Sequence, residues 1–114
     1  VEDEILIAMD IEAELEERGA IVRGPVTRLS EGLPIVADSD QHVDVAILDI
    51  NLQGKEVYPI AEVLVARGIP FLFHTGHGEA ERLRARFSDA PVCNKPVQTE
   101  FLVDEVERLL NLRP

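Results

Sequence analysis

Two kinds of apolar pattern alternate along this chain. Apolar positions spaced three or four apart predict helices over residues 5–18, 27–37, 59–67, 79–87 and 99–110. Continuous apolar runs predict buried strands at residues 43–49, 69–75 and 91–94, and a short β-branched stretch predicts another at 20–26. Strands that alternate with helices indicate parallel βαβ units, and therefore an open sheet with helices on both faces.

The pattern lacks one element at its start. A sheet of this kind should begin with a strand, but the chain opens at Val1 and reaches its first acids at once. We therefore expect upstream residues of a truncated first strand to be missing from this sequence. The 114 residues fit a single domain, 1–114, with a core of its own. Met9 and Phe87 are expected in that core.

Acidic residues outnumber basic ones, 22 to 11, which gives a net charge of −11. This charge argues against partners with negative surfaces, namely nucleic acids and anionic membranes. A hydrophobic fraction of 46% is too high for a disordered acidic tail, and a single cysteine excludes a disulfide framework. No apolar run approaches the ~20 residues of a membrane span, and no signal peptide is visible. We expect a cytoplasmic domain whose natural small partner is a cation.

The carboxyl ends of the predicted strands carry a distinctive set of side chains. These ends meet at one edge of an open parallel sheet, where active sites form. Several carboxylates crowded together repel one another, and Mg²⁺ is the hard cation that oxygen ligands suit. A lysine and a hydroxyl beside such a metal suit a phosphoryl group, although each residue alone could be a helix cap or a turn residue. The set is Glu2, Asp3, Asp49, Thr75 and Lys95.

Four motifs follow one another along the chain: Glu2-Asp3 before a helix, Asp49 after an apolar strand, Thr75 after the next strand, and Lys95-Pro96 before the last helix. In this order, and with this alternation of strands and helices, they resemble the receiver domain of two-component response regulators. The likeness covers essentially the whole chain. It implies a flavodoxin-like (βα)5 fold, a doubly wound parallel sheet with strand order 2-1-3-4-5 and a truncated first strand.

The resemblance also implies roles for the acids. Asp49 would be the phosphoacceptor, taking a phosphoryl group from a phosphohistidine of a sensor histidine kinase or phosphotransfer protein. Asp3 and Asp49 would bind Mg²⁺ directly, Glu2 would act through water, and the backbone carbonyl of Asn51 would supply another ligand. The domain would assist its own phosphorylation and dephosphorylation without being a turnover enzyme.

The resemblance assigns the switch to Lys95 and Thr75. Lys95 would pair with the phosphoryl oxygens, and Thr75 would move toward them and transmit the signal. The bond Lys95-Pro96 resembles one that is commonly cis in the family. Most receivers carry an aromatic residue three positions before the lysine, but Val92 stands there in this chain. Thr75 must therefore act on something other than that aromatic ring.

Residues 73–77, Phe-His-Thr-Gly-His, resemble the F-A-T-G-Tyr motif of the FAT-GUY receiver subgroup. His74 replaces the small alanine of that motif, and His77 replaces its tyrosine. Two histidines three apart suggest a transition-metal pair, but no third ligand is evident and we disfavour such a site.

Charged helices suggest protein partners. By family analogy the acidic first helix is where the kinase docks, and a homodimer could form through the fourth helix, the fifth strand and the fifth helix. Basic residues of the fourth helix would then pair with acids of the last one, unless they simply form a solvated face. The residues are Arg82, Arg84 and Arg86, with Asp104, Glu105 and Glu107.

Two other classes of protein fit less well. An aspartate-nucleophile phosphatase of the haloacid dehalogenase type needs a second acid two residues after the nucleophile, and Asn51 stands there. A flavodoxin-like ligand-binding module needs a phosphate-cradling loop after the first strand, where residues 2–4, Glu-Asp-Glu, would repel phosphate without a metal. The chain is expected to be a stand-alone receiver or the C-terminal receiver of a longer protein.

Overall fold

Helices and short strands alternate through residues 1–2, 4–52, 55–76 and 80–111, which a computed structural model describes, with only the backbone at 51, 52, 55 and 56. The helices are α1 (Ile5–Glu17), α2 (Leu29–Ala37), α3 (Tyr58–Arg67), α4 (Ala80–Arg86) and α5 (Thr99–Asn111). The strands are β1 (Ala46–Leu48), β2 (Asn51–Leu52), β3 (Lys55–Glu56), β4 (Phe71–Thr75) and β5 (Val92–Asn94). The predicted helices and the three apolar strands are confirmed, and the strands are shorter than predicted.

The central sheet is parallel, with the order β1-β4-β5. Leu48 pairs with Phe73 between β1 and β4, and Thr75 pairs with Asn94 between β4 and β5. This register brings the carboxyl ends of all three strands to one edge of the sheet. The order also matches the last three strands of the predicted sequence 2-1-3-4-5.

Val1 and Glu2 lie beside β1, in the place expected for the first strand. The Val1 nitrogen donates to the Ile47 carbonyl at 2.6 Å, and the Asp49 N–H donates to the Val1 carbonyl at 2.9 Å. On the other side, the Glu2 N–H donates to the Val26 carbonyl at 2.8 Å. Backbone hydrogen bonds therefore connect Val26 to residues 1–2, and residues 1–2 to the segment of β1 and Asp49.

The prediction of a strand at residues 20–26 was wrong for this structure, in which the segment has no regular secondary structure. A strand is defined by a ladder of paired backbone groups. Among the described residues, the bond between Glu2 and Val26 is the one backbone hydrogen bond that joins this segment to the sheet. A single bond does not make a ladder, so the β-branched composition of the segment was not sufficient.

Two apolar layers cover the two faces of the sheet. Leu72 points into a layer with α1 and α5, while its neighbour Phe73 points into a layer with α3 and α4. Phe87 is buried as predicted, but Met9 is 54% exposed and its predicted core position was wrong. The inner face of α1 is formed by Ala8 and Ile11, and a step of one residue from Ala8 turns Met9 toward solvent.

Two short strands follow Asp49. β2 and β3 form a short antiparallel pair in which Asn51 lies opposite Glu56. In the ranges that the structure describes, no helix combines the length and the apolar character needed to cross a membrane.

Candidate functional site

Asp49 follows β1 at the carboxyl edge of the sheet, where it is 6% exposed. Its position is fixed by the backbone, because its own N–H bonds to Val1 and the N–H of Val57 bonds to the Ile50 carbonyl at 2.7 Å. The apolar run of β1 is packed into the core and ends at this residue. The buried strand thus delivers a carboxylate to the sheet edge on a fixed backbone.

Glu2 is the second buried carboxylate at this edge, with 4% exposure. The backbone bonds of residues 1–2 set it beside the end of β1. Its Oε2 accepts the N–H of Glu4 at 3.2 Å, which orients the side chain. The structure therefore brings Glu2 and Asp49 together, as the sequence predicted.

Lys95 lies at the centre of the acids. Its Nζ donates to Asp49 Oδ2 at 3.1 Å and to Glu2 Oε2 at 3.2 Å, and it lies 3.1 Å from Glu2 Oε1. The lysine follows β5, and its own N–H donates to the Thr75 carbonyl at 2.6 Å. Its side chain is 18% exposed, so these charge-assisted bonds are partly shielded from water. The following bond, Lys95-Pro96, is cis, as the resemblance implied.

Glu4 belongs to the same cluster, although it was not among the site residues predicted from the sequence. Its Oε1 accepts a hydrogen bond from Lys95 Nζ at 3.0 Å, although the Glu4 side chain is 60% exposed. Glu4 occupies the N-cap of α1 and makes no side-chain capping bond there. The run Glu-Asp-Glu at residues 2–4 was the available signal, because a third acid two residues beyond Glu2 stays near the same sheet edge.

His74 was predicted on a strand end, and the structure buries it to 4% exposure within β4. Its Nδ1 lies 3.6 Å from Glu2 Oε1, which is longer than a direct hydrogen bond. Neither atom has a hydrogen-bond partner among the described residues. The predicted neighbour His77 lies outside the described residues.

Thr75 ends β4 and is 3% exposed. The register sets it two positions beyond Phe73, whose partner Leu48 directly precedes Asp49. Thr75 and Asp49 therefore lie at the same edge of adjacent strands. Val92, which stands where most receivers have an aromatic residue, is half-buried and packs against the core layer of α3 and α4.

The crowding of acids changes their protonation. Burial, together with the adjacent Glu2 carboxyl, raises the pKa of Asp49 to about 7, and Lys95 opposes the shift. Burial also disfavours the ionised form of Glu2, but the neighbouring His74 ring, the Asp49 carboxyl, the Glu4 N–H and the Lys95 ammonium outweigh burial and lower its pKa. The two carboxyls lie side by side, so the ionisation of one opposes the ionisation of the other. Two buried carboxylates beside one lysine carry an excess of negative charge.

The oxygens present fit a divalent cation. Glu2, Glu4 and Asp49 each offer a carboxylate oxygen, and the three oxygens lie within 4.8 Å of one another. Hard oxygen donors of this kind suit Mg²⁺ better than a softer metal. Of the other predicted ligands, Asp3 lies outside the described residues. Asn51 lies in β2, two residues beyond Asp49.

Comparison with known proteins finds likenesses at the level of structure. No protein-family model matches this sequence, and no curated protein sequence is similar to it. Among solved structures, SdrG from Sphingomonas melonis is 40% identical, with a TM-score of 0.78 over 96% of this chain and 91% of that one. The non-phosphorylated HemR receiver domain from Leptospira biflexa is 27% identical, with a TM-score of 0.83 over 99% and 93%. A response regulator receiver domain protein from Clostridium thermocellum is 25% identical, with a TM-score of 0.80 over 96% and 90%.

These structures share the fold of this chain over nearly all of both chains. The chain therefore belongs to the response regulator receiver domains. The fold class inferred from its alternating pattern and the family inferred from its strand-end motifs are both confirmed, and the family carries a role in two-component signalling.

Proposed function

We propose that this receiver domain is a phosphoacceptor that takes a phosphoryl group on Asp49 from a phosphohistidine of a sensor histidine kinase or phosphotransfer protein. The observation that carries the proposal is the contact of Lys95 Nζ with Asp49 at 3.1 Å, inside a buried acidic cluster at the carboxyl edge of the sheet. A carboxylate with a fixed backbone and an adjacent ammonium is suited to attack phosphorus and to hold the product.

The transfer is an exchange of one bond to phosphorus for another. An Asp49 carboxylate oxygen forms the new O–P bond, the P–N bond of the donor phosphohistidine breaks, and its electron pair stays with the donor imidazole. Lys95 is placed to bind the phosphoryl oxygens beside Asp49. Water can later cleave the acyl phosphate, so the domain returns to its starting state without acting as a turnover enzyme.

Mg²⁺ is the cofactor that we propose for this step. Bound among these acids, it would neutralise charge on both the carboxylates and the phosphoryl oxygens. Glu2 and Asp49 would hold it together with Asp3 and the Asn51 carbonyl. The close approach of the Glu2, Glu4 and Asp49 oxygens supports a cation here, because crowded carboxylates repel one another and a divalent cation relieves that repulsion.

Thr75 is proposed to transmit the change. Because Thr75 ends the strand next to β1, we expect its hydroxyl to approach a phosphoryl group on Asp49. Since Val92 is aliphatic, the response must run through a group other than an aromatic ring on β5. Membership of the FAT-GUY subgroup stays a prediction, and it rests on residues 73–77.

The kinase-facing surface is proposed to lie on α1. Its outer face combines exposed apolar side chains with acids, and Ile5, Leu6 and Met9 are all more than half exposed. Such a mixed face fits a helical protein partner. The net charge of −11 supports a protein partner over nucleic acid or an anionic membrane, and we propose that the domain acts in the cytoplasm.

We also propose a homodimer through α4, β5 and α5. The predicted ion pairs between copies could form only if these residues gave up contacts that they make within one chain. Asp104 and Glu107 bind Arg18 at 2.7 and 3.2 Å, and Glu105 binds Arg108 at 2.8 Å within one chain. Arg86 pairs with Glu62 and stacks on the ring of Tyr58 at 4.4 Å. Exposed Arg84 is better placed for a contact between copies.

Reaction with acetyl phosphate tests the phosphoacceptor directly. With Mg²⁺ present, we expect the intact mass of the wild type to increase by one phosphoryl group, and the Asp49→Ala variant to show no increase. EDTA should suppress the reaction. A wild-type protein that gains no phosphoryl group under these conditions would contradict the proposal.

A further inference from the structure

Lys95 has more acidic partners than its role as a phosphoryl ligand requires. Asp49 and Glu2 are buried, so their contacts with Lys95 are built into the sheet edge. Glu4 is different, because its side chain is 60% exposed while its Oε1 still reaches Lys95 Nζ at 3.0 Å. Glu4 is therefore the one carboxylate of this set that can leave Lys95 without exposing a buried charge.

We propose that Glu4 is a positioning residue that competes with an incoming phosphoryl group for Lys95. In the resting domain Glu4 completes the shell of acceptors around the ammonium. When a phosphoryl group arrives on Asp49, its oxygens replace the Glu4 carboxylate, and Glu4 turns into solvent. The inference rests on the proposed phosphoacceptor function of Asp49 and adds a residue that sets how readily the site is filled.

The geometry supports displacement of Glu4 rather than of the other acids. Among the described residues, the Glu4 side chain makes no capping hydrogen bond to α1 that would hold its carboxylate in place. Glu2, by contrast, accepts the N–H of Glu4 and faces buried His74. Among the groups that raise the pKa of Lys95 against the effect of burial, Glu4 stands first, followed by Asp49 and Glu2.

The expected size follows from the exposure of the pair. Ion pairs with an exposed partner typically contribute less than about a factor of five to an equilibrium. Removing Glu4 should therefore tighten the binding of a phosphoryl analogue by about two- to fivefold, and it should speed phosphorylation by acetyl phosphate by a similar factor. The competing interpretation is that Glu4 binds the metal, since its oxygen lies near those of Glu2 and Asp49.

The test measures the affinity for beryllofluoride at saturating Mg²⁺, and separately the affinity for Mg²⁺ alone. Glu4→Gln removes the charge. Glu4→Asp keeps the charge but shortens the side chain. It therefore distinguishes the loss of the contact with Lys95 from a change in the net charge of the protein. Glu16→Gln removes the same charge from an exposed position of α1 with no described contact to Lys95. Thermal unfolding of each variant checks that the fold is intact.

We expect Glu4→Gln and Glu4→Asp to bind beryllofluoride two- to fivefold more tightly, with Glu16→Gln equal to the wild type. Unchanged or weaker beryllofluoride binding in both Glu4 variants would overturn the inference, as would a large loss of Mg²⁺ affinity. Equal tightening in Glu16→Gln would also overturn it, because net charge would then explain the effect. If the wild type itself binds no beryllofluoride, the proposed function fails, which is a separate result.

Discussion

Lys95 Nζ lies 3.1 Å from Oδ2 of Asp49, and the two residues come from strands that are not neighbours in the sheet. Asp49 follows β1 and Lys95 follows β5, with β4 between them. The contact therefore spans the carboxyl edge of the whole β1-β4-β5 sheet. It explains how one lysine can reach several acids there, and it makes the lysine important for stability as well as for binding.

Loss of Lys95 should destabilise the metal-free domain. Lys95→Ala leaves buried Glu2 and Asp49 without their counter-charge, and breaking a buried pair typically costs about 3–5 kcal/mol. We expect a loss of about 2–4 kcal/mol in the free energy of unfolding, measured by urea denaturation in EDTA at neutral pH, with part of it restored by Mg²⁺. The control Arg84→Ala removes a positive charge from an exposed position. A Lys95 variant no less stable than that control would contradict the structural role.

Asp49 should make the stability of the metal-free domain depend on pH. Its pKa is about 7 in the folded protein and near 3.8 when unfolded, so folding favours the protonated carboxyl. This contribution is fully present below about pH 4 and is lost as the pH rises through about 7. The Asp49→Asn variant lacks this contribution. Between pH 5 and pH 8 in EDTA, its free energy of unfolding should therefore rise by about 2 kcal/mol relative to that of the wild type.

The measurement is urea denaturation of both proteins at several pH values, with Glu16→Gln as a control for charge. Glu2 affects stability in a more acidic pH range. Its pKa is lower in the folded than in the unfolded protein, so it stabilises the fold above its unfolded pKa, and this stabilisation is lost as the pH falls through its folded pKa. Saturating Mg²⁺ should shrink the difference between wild type and Asp49→Asn at pH 8. A difference that does not change with pH would show that the carboxyl is not perturbed.

Removing the hydroxyl of Thr75 should leave ligand binding at Asp49 intact but weaken the conformational response that follows it. Thr75→Val keeps the shape of a buried side chain but removes the hydroxyl, whereas Thr75→Ser keeps the hydroxyl. We expect both variants to bind Mg²⁺ and beryllofluoride. In amide NMR spectra, beryllofluoride should shift the resonances of α4 in wild type and Thr75→Ser, and much less in Thr75→Val. Equal shifts in all three proteins would remove Thr75 from the switch.

The sequence predicted most of the fold because its signals were local. The apolar runs before Asp49 and Thr75 marked buried strands, and Gly68, in the left-handed region at φ 68°, ends α3 where the pattern placed the break. The segment at residues 20–26 failed for a non-local reason, since a strand also needs a partner with which to form a ladder. Met9 failed because helical spacing defines a buried face only to within one residue.

The site was predicted in part. The position after each strand predicted that Asp49, Glu2 and Lys95 would lie together, and the structure brings them together because the edge of a parallel sheet collects strand ends. The spacing of residues 2–4 holds Glu4 near the sheet edge, but Glu4 was missed because its contact with Lys95 joins residues 91 positions apart. The burial of His74 against Glu2 was missed for the same kind of reason, since its neighbours come from a distant part of the chain.

The location of the phosphoryl group tests the central claim most directly. The wild type is treated with Mg²⁺ and acetyl phosphate, then with borohydride, which reduces an aspartyl phosphate to homoserine. Peptide mass spectrometry then identifies the residue that has changed. The account predicts homoserine at position 49 alone, and none when EDTA replaces Mg²⁺. Homoserine at position 3, or a phosphoryl group on another residue with Asp49 intact, would contradict it.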